Sequence, residues 1–153
     1  MTRNELYENA MLILSQRDHS IREIREKLTK KSPDNEHIEE VITQLIEFNY
    51  LNEQRFAQTY IRSKAARLYG QFRIKQELKM KGVDQETISI AFDEEETDWF
   101  ENAKALRHRK FGEEVPSDFK VKSKQMRYLQ SHGFSFDEIN YSFETEAFRK
   151  DAF

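Results

Sequence analysis

An all-α fold, arranged as an elongated, curved array of three tandem three-helix repeats, follows from three observations. Turn-forming residues are scarce: the 153 residues include two prolines and four glycines, too few for strands joined by tight turns. Apolar residues recur at helical spacing, as in Leu6, Ala10, Ile13 and in Ile38, Val41, Ile42, Leu45. The third observation is an internal repeat. Leu28, Leu78 and Leu129 are each followed, four residues on, by a small residue: Ser32, Gly82 and Gly133. Ile38, Ile88 and Ile139 come next in the same register, then Ile42, Phe92 and Phe143.

The spacing predicts helices near 4–16, 20–31 and 34–48 in repeat one (1–51). In repeat two (52–93) they fall near 52–68, 71–81 and 84–93. In repeat three (94–153) they fall near 97–110, 117–131 and 135–147. Ser20 with Glu23, and Ser135 with Glu138, fit capping boxes, in which side chain and backbone at a helix start satisfy each other. Ser32 before Pro33 fits a cap with proline at the first helical position. Gly82 and Gly133 can close a helix in the left-handed conformation, while Gly70 and Gly112 precede middle helices. The stripes Phe56, Ala57, Tyr60, Ile61 and Trp99, Ala103, Leu106 are expected in the core. Three helices of 10–15 residues bury little by themselves, so neighbouring repeats must share a core.

Composition excludes several functions. Cysteine is absent, which removes disulfides, thiolate metal sites and cysteine nucleophiles and fits a reducing compartment. No two of His19, His37, His108 and His132 share the short helical spacing of a zinc site, and His19 reads as a cap or packing residue. The glycines are too dispersed for a phosphate-cradling loop, and no serine sits in a Gly-x-Ser-x-Gly elbow. The chain reads as a non-enzyme with no cofactor or metal. No apolar run approaches membrane-spanning length and the N-terminus lacks a secretory apolar core, so a cytoplasmic protein is expected.

The net charge of −3 hides banding. Residues 62–81 hold seven cations (Arg62, Lys64, Arg67, Arg73, Lys75, Lys79, Lys81) against one acid. Residues 82–103 hold eight acids and no base. Residues 104–127 hold Lys104, Arg107, Arg109, Lys110, Lys120, Lys122, Lys124 and Arg127 against three acids. Lys120, Lys124 and Arg127 share one helix face, as do Lys75 and Lys79. A solvated face would explain one such helix. Two bands at equivalent places in two repeats favour a surface that attracts phosphates or an acidic protein groove. The candidate binding residues are Arg62, Lys64, Arg67, Arg73, Lys75, Lys79, Lys81, Lys120, Lys124 and Arg127. The acidic run Asp93, Glu94, Glu95, Glu96, Asp98 reads as compensation of a helix dipole.

Three strings carry a family resemblance: Ser15-Gln16-Arg17-Asp18-His19-Ser20, Asn49-Tyr50-Leu51-Asn52-Glu53-Gln54-Arg55-Phe56-Ala57, and residues 73–83, from Arg73 to Val83. In order and spacing the chain resembles the RecX regulatory family. Asn49 stands where that family usually has glycine, Glu53 replaces an aspartate, and Gln71 replaces a proline. The resemblance implies a partner, the RecA filament on single-stranded DNA. It implies binding in the filament groove and inhibition of filament extension, ATP hydrolysis, strand exchange and coprotease stimulation, with no catalytic residues. A monomer with weak direct DNA binding fits it. A helical DNA-binding protein independent of RecA is the alternative. Arg55 is open between a structural and a partner contact, and Phe148 and Phe153 are expected to pack in part.

Overall fold

The structure is a computed structural model that describes residues 1–145. Among the described residues there are nine helices and no strand: α1 (Arg3–Gln16), α2 (Ile21–Lys31), α3 (Asn35–Glu47), α4 (Glu53–Ala66), α5 (Gln71–Met80), α6 (Gln85–Asp93), α7 (Trp99–Phe111), α8 (Phe119–Ser131) and α9 (Phe136–Ser142). Phe148 and Phe153 lie outside the described residues.

Most helix starts have a local chemical cause. Thr2, Ser20 and Ser135 form complete capping boxes with Glu5, Glu23 and Glu138. Asp84, Asp98 and Asp118 accept from first-turn N–H groups of α6, α7 and α8. The expectation at Ser32 needs correction. Ser32 closes α2, its N–H donating to Leu28 O, while Asp34 caps α3 and Pro33 stays outside the helix. The reason is visible in the bonds: Asp34 accepts from His37 N–H, and the Ser32 hydroxyl accepts from Asp34 N–H.

Four helix ends share one turn, in which an N–H reaches the carbonyl five residues back across a residue in the left-handed conformation. Tyr50 N–H donates to Leu45 O, Tyr69 to Lys64 O, Val83 to Leu78 O and Phe134 to Leu129 O. The left-handed residues are Asn49 (φ 62°), Leu68 (φ 64°), Gly82 (φ 86°) and Gly133 (φ 101°). Asparagine accepts this conformation readily; leucine does so at a cost of roughly 1–2 kcal/mol.

The chain divides into two compact units: Met1–Ile61 with Glu77–Glu95, and Arg62–Gln76 with Glu96–Phe153. Residues of the middle repeat therefore take part in both. The first unit is built around Leu6, Ala10, Ile24, Leu28, Ile38, Val41, Ile42, Leu45 and Leu51. The second is built around Ala103, Leu106, Leu129, Phe134, Ile139 and Phe143, with Leu68 packed against them.

Within each unit a glycine turn meets the start of an earlier helix. In the second unit, Gly70 N–H donates to His132 O (2.7 Å) and Phe72 N–H to Gly133 O (3.0 Å). The unpaired donors of the α5 start are thus met by unpaired acceptors of the α8 end. The backbones touch: a Cβ at Gly70 would lie 2.3 Å from Gly133 C, and one at Gly133 would lie 2.6 Å from Arg73. Arg73 Nη1 reaches Ser131 O at 3.5 Å. The first unit repeats the motif. A Cβ at Gly82 would lie 2.9 Å from Arg22, whose Nη1 donates to Met80 O at 3.0 Å. There the α2 start is satisfied by a side chain, with Ile21 N–H donating to Glu53 Oε1.

Arg107, expected in the second basic band, is instead buried at 1% exposure. Its guanidinium donates to the carbonyls of Ser142 (2.8 Å), Glu114 (3.2 Å), Gly112 (3.4 Å) and Glu113 (3.4 Å) and lies over the Phe143 ring. A flat fork with five donors can serve several carbonyls at once. It ties the loop after α7 to the end of α9.

Gly133→Ala should lower stability by about 2–4 kcal/mol in urea unfolding, from a positive φ and a clash together. Gly112→Ala, with φ 88° but open space around it, should cost about 1–2 kcal/mol. Equal losses would contradict the close approach. Arg107→Leu should cost at least about 3 kcal/mol, since several carbonyls would be left without a donor; a thermal midpoint like that of the native chain would count against the tie.

Candidate binding surface

The two units differ in charge. By sequence, Met1–Ile61 with Glu77–Glu95 carries ten lysines and arginines against seventeen aspartates and glutamates, a net −7. The described part of the other unit carries thirteen against nine, a net +4.

The structure separates the candidate residues accordingly. Arg62, Lys64, Arg67, Arg73, Lys75, Lys120, Lys124 and Arg127 belong to the positive unit, and Lys79 and Lys81 to the negative one. Lys81 lines a cleft of about 430 Å³ with Arg22, Glu23, Glu26, Tyr60, Glu77 and Met80. There it pairs with Glu23 at 3.3 Å and lies 5.5 Å from the Tyr60 ring centre. Burial opposes ionisation of Glu23, but hydrogen bonds from Arg17 and the Ser20 N–H, with the charges of Arg17 and Lys81, outweigh it and bring its pKa down to about 2. Lys79 is exposed.

In the positive unit three candidates converge. Lys64 Nζ, Arg67 Cζ and Arg73 Cζ lie 4.9, 5.8 and 4.5 Å from the centre of the Tyr69 ring. Tyr69 stacks on His132 (5.2 Å between centres, 9° between planes), and His132 meets Tyr128 at 4.5 Å. Lys110 Nζ lies 5.5 Å from the Tyr128 ring centre. The stack follows from the glycine junction, because Tyr69 precedes Gly70 and His132 precedes Gly133. Burial and the charges of Arg73 and Arg109 push the His132 pKa down. Lys120, Lys124 and Arg127 are placed on α8, and Arg62 is exposed towards the end of α4. Tyr69, Tyr128, His132, Arg109 and Lys110 do not stand out as one site in the sequence. The pairing of an aromatic residue with glycine at both 69–70 and 132–133 is the signal that could have pointed to it.

Two further residues have structural roles. Arg55 donates to Asp18 Oδ1 at 2.8 Å and to the carbonyls of Asn49 and Tyr50 at 3.3 Å. His19 is 1% exposed. Lys27 Nζ lies 2.7 Å from its Nε2, and an ammonium can only donate, so Nε2 accepts and Nδ1–H donates to Arg17 O. Burial pushes the His19 pKa down. Among the described residues no group of three or more His, Cys, Asp or Glu could hold a metal ion, and no helix is long and apolar enough to cross a membrane.

Residues 7–45, 52–91 and 96–142 match the models of the first, second and third RecX three-helix domains. The chain belongs to the RecX family. It is 41% identical to the regulatory protein RecX of Serratia proteamaculans (strain 568), covering 89% of this chain and 94% of that one. It is 39% identical to that of Vibrio vulnificus (strain CMCP6), covering 92% of both. The crystal structure of RecX from Lactobacillus salivarius superposes with a TM-score of 0.77 over 92% of this chain and 93% of that one, at 24% identity, a likeness of fold. The architecture is that of the RecX family models, three three-helix domains in sequence, and family membership makes this chain a regulatory protein.

His19, His108 and His132 are all shifted below the ordinary 6.5, each first by burial. The unfolded chain therefore binds protons more readily near that pH, so stability is full above about pH 6.5 and falls as the medium becomes more acid. Glu23 adds stability present above its ordinary 4.5 and lost towards about 2. Urea midpoints should drop between about pH 7.5 and about pH 5.5; an unchanged midpoint would contradict the neutral histidines.

Proposed function

We propose that this chain binds the RecA filament assembled on single-stranded DNA, in the filament's groove. It thereby inhibits filament extension, ATP hydrolysis, strand exchange and RecA's stimulation of repressor self-cleavage. Membership in a family of regulatory proteins supports this reading. The observation that carries it is the charge division: a positive unit, in which three candidate cations gather on one ring, in a chain whose other unit is negative. A regulator of this kind acts by occupying a surface and needs no reacting group. We take it to work as a monomer in the cytoplasm, without cofactor.

Three repeats bounded at 1–51, 52–93 and 94–153 give the chain several binding surfaces. Engaging more than one RecA protomer makes each later contact intramolecular, so affinity is highest for the assembled filament. The basic residues of repeats two and three supply a salt-sensitive part of that affinity.

The decisive measurement is RecA ATPase on single-stranded DNA with less than one molecule of this protein per RecA. Strong inhibition is expected. A wholly unaffected rate would remove the reading. Tight, sequence-specific duplex binding without any effect on RecA would establish the alternative, a helical DNA-binding protein independent of RecA.

A further inference from the structure

We infer that the turn between α3 and α4, with the acidic groove along α3, is a docking surface for a basic protein segment on the RecA filament. The inference deepens the proposed function and rests on it for the partner.

The turn is held at every step. Asn49 N–H donates to Ile46 O, and Tyr50 and Leu51 N–H both donate to Leu45 O. Arg55 donates to the carbonyls of Asn49 and Tyr50 and to Asp18 Oδ1, and Asn52 Nδ2 donates to Asn49 Oδ1 at 2.8 Å. Within the string 49–57, then, Asn49 supplies the left-handed turn and Arg55 fixes its carbonyls. Leu51 is buried and packs the turn into the core. Yet Ile46, Phe48 and Tyr50 are 45, 60 and 46% exposed. The turn type does not require this. In the turns at Gly82 and Gly133 the residues in the place of Tyr50 are Val83 and Phe134, which are 3 and 2% exposed. Large apolar side chains held out on a fixed turn have little left to order on binding. Aromatic anchors of this kind carry much of the energy of protein interfaces.

Charge selects the partner. Phe48 also lines a groove of about 640 Å³ with Arg3, Glu36, Glu39, Glu40 and Glu47. Arg3 pairs with Glu40 at 3.0 Å and Arg25 with Glu39 at 2.7 Å. Glu36 and Glu47 have no ion partner among the described residues. They stand eleven residues apart on α3, roughly 16 Å along the helix. The unit as a whole is net −7, so phosphates are repelled and nucleic acid is a poor ligand for this face. A protein segment that brings lysine or arginine to Glu36 and Glu47, and an apolar side chain to Phe48, satisfies both halves of the surface.

The test uses the full chain and RecA assembled on single-stranded DNA. Phe48→Ser with Tyr50→Ser should raise the concentration for half-inhibition of ATP hydrolysis by about tenfold or more. The urea midpoint of this variant should stay native, since Leu51 does the packing. Glu36→Gln with Glu47→Gln should raise the half-inhibition concentration about threefold at low salt and less at high salt. Leu12→Ser removes an apolar residue of α1 that is 67% exposed and does not line the groove, and should leave inhibition unchanged. The chain has no cysteine, so Glu47→Cys takes a benzophenone label at one place. Illumination should join it to RecA, whereas the same label on Leu12→Cys should not; this readout holds even where the serine variant folds poorly. Native inhibition by a folded serine variant, no RecA adduct from Glu47→Cys, or equal adducts from both labelled chains would overturn the surface and leave the filament reading standing. An adduct between two copies of this chain would also overturn it and make a second copy the occupant. A native chain without effect on RecA's ATPase would sink the filament reading, and this inference with it.

Discussion

The positive unit depends on one contact, the meeting of Gly70 with Gly133. A helix start lacks acceptors for its first N–H groups and a helix end lacks donors for its last carbonyls. Here Gly70 and Phe72 donate to His132 and Gly133, so one deficit cancels the other, and the two helix dipoles join in the favourable sense. The fit tolerates no side chain, since a methyl group on either glycine would enter the other backbone or Arg73. The same contact brings Tyr69 onto His132, and with them the cations of α4, α5 and α7. Packing and electrostatics therefore have a common origin. In the negative unit Arg22 and Glu53 complete the corresponding junction with side chains. Burial and the Asp84 charge push the Glu53 pKa up.

Arginine has two different uses in this chain. Arg107 is sealed in, its donors spent on backbone carbonyls. Arg67 and Arg109 remain on the surface. Arg73 stands between these cases, joining a structural bond to Ser131 with a place in the cation group at Tyr69. Charge counted along a sequence cannot separate such roles, because a buried and an exposed guanidinium contribute equally to the count.

Most of the architecture is readable in the sequence. The capping boxes at Ser20 and Ser135, the turns at Gly82 and Gly133 and the threefold spacing are local signals, and local chemistry decides helix ends. Ser32-Pro33 misleads because Asp34, one residue further on, offers the better acceptor. Leu68 gives no sign of a left-handed turn, since leucine disfavours it; packing against the Phe134 and Leu129 core holds it there. The candidate site is legible in part: Lys64, Arg67 and Arg73 are visible as a basic band. Arg109, Lys110, Tyr128 and His132 join them only through the approach of Tyr69 to His132, sixty-three positions apart, which no local pattern records.

The Gly70–Gly133 junction also bears on how the chain is made. Residues leave the ribosome in order, and segments fold as their partners become available. The unit formed by Met1–Ile61 and Glu77–Glu95 has all its parts once Glu95 has emerged. Arg62–Gln76 must wait, because its backbone partners are His132 and Gly133. A length of polypeptide already synthesised thus stays without its final neighbours until Gly133 has emerged, more than fifty residues later.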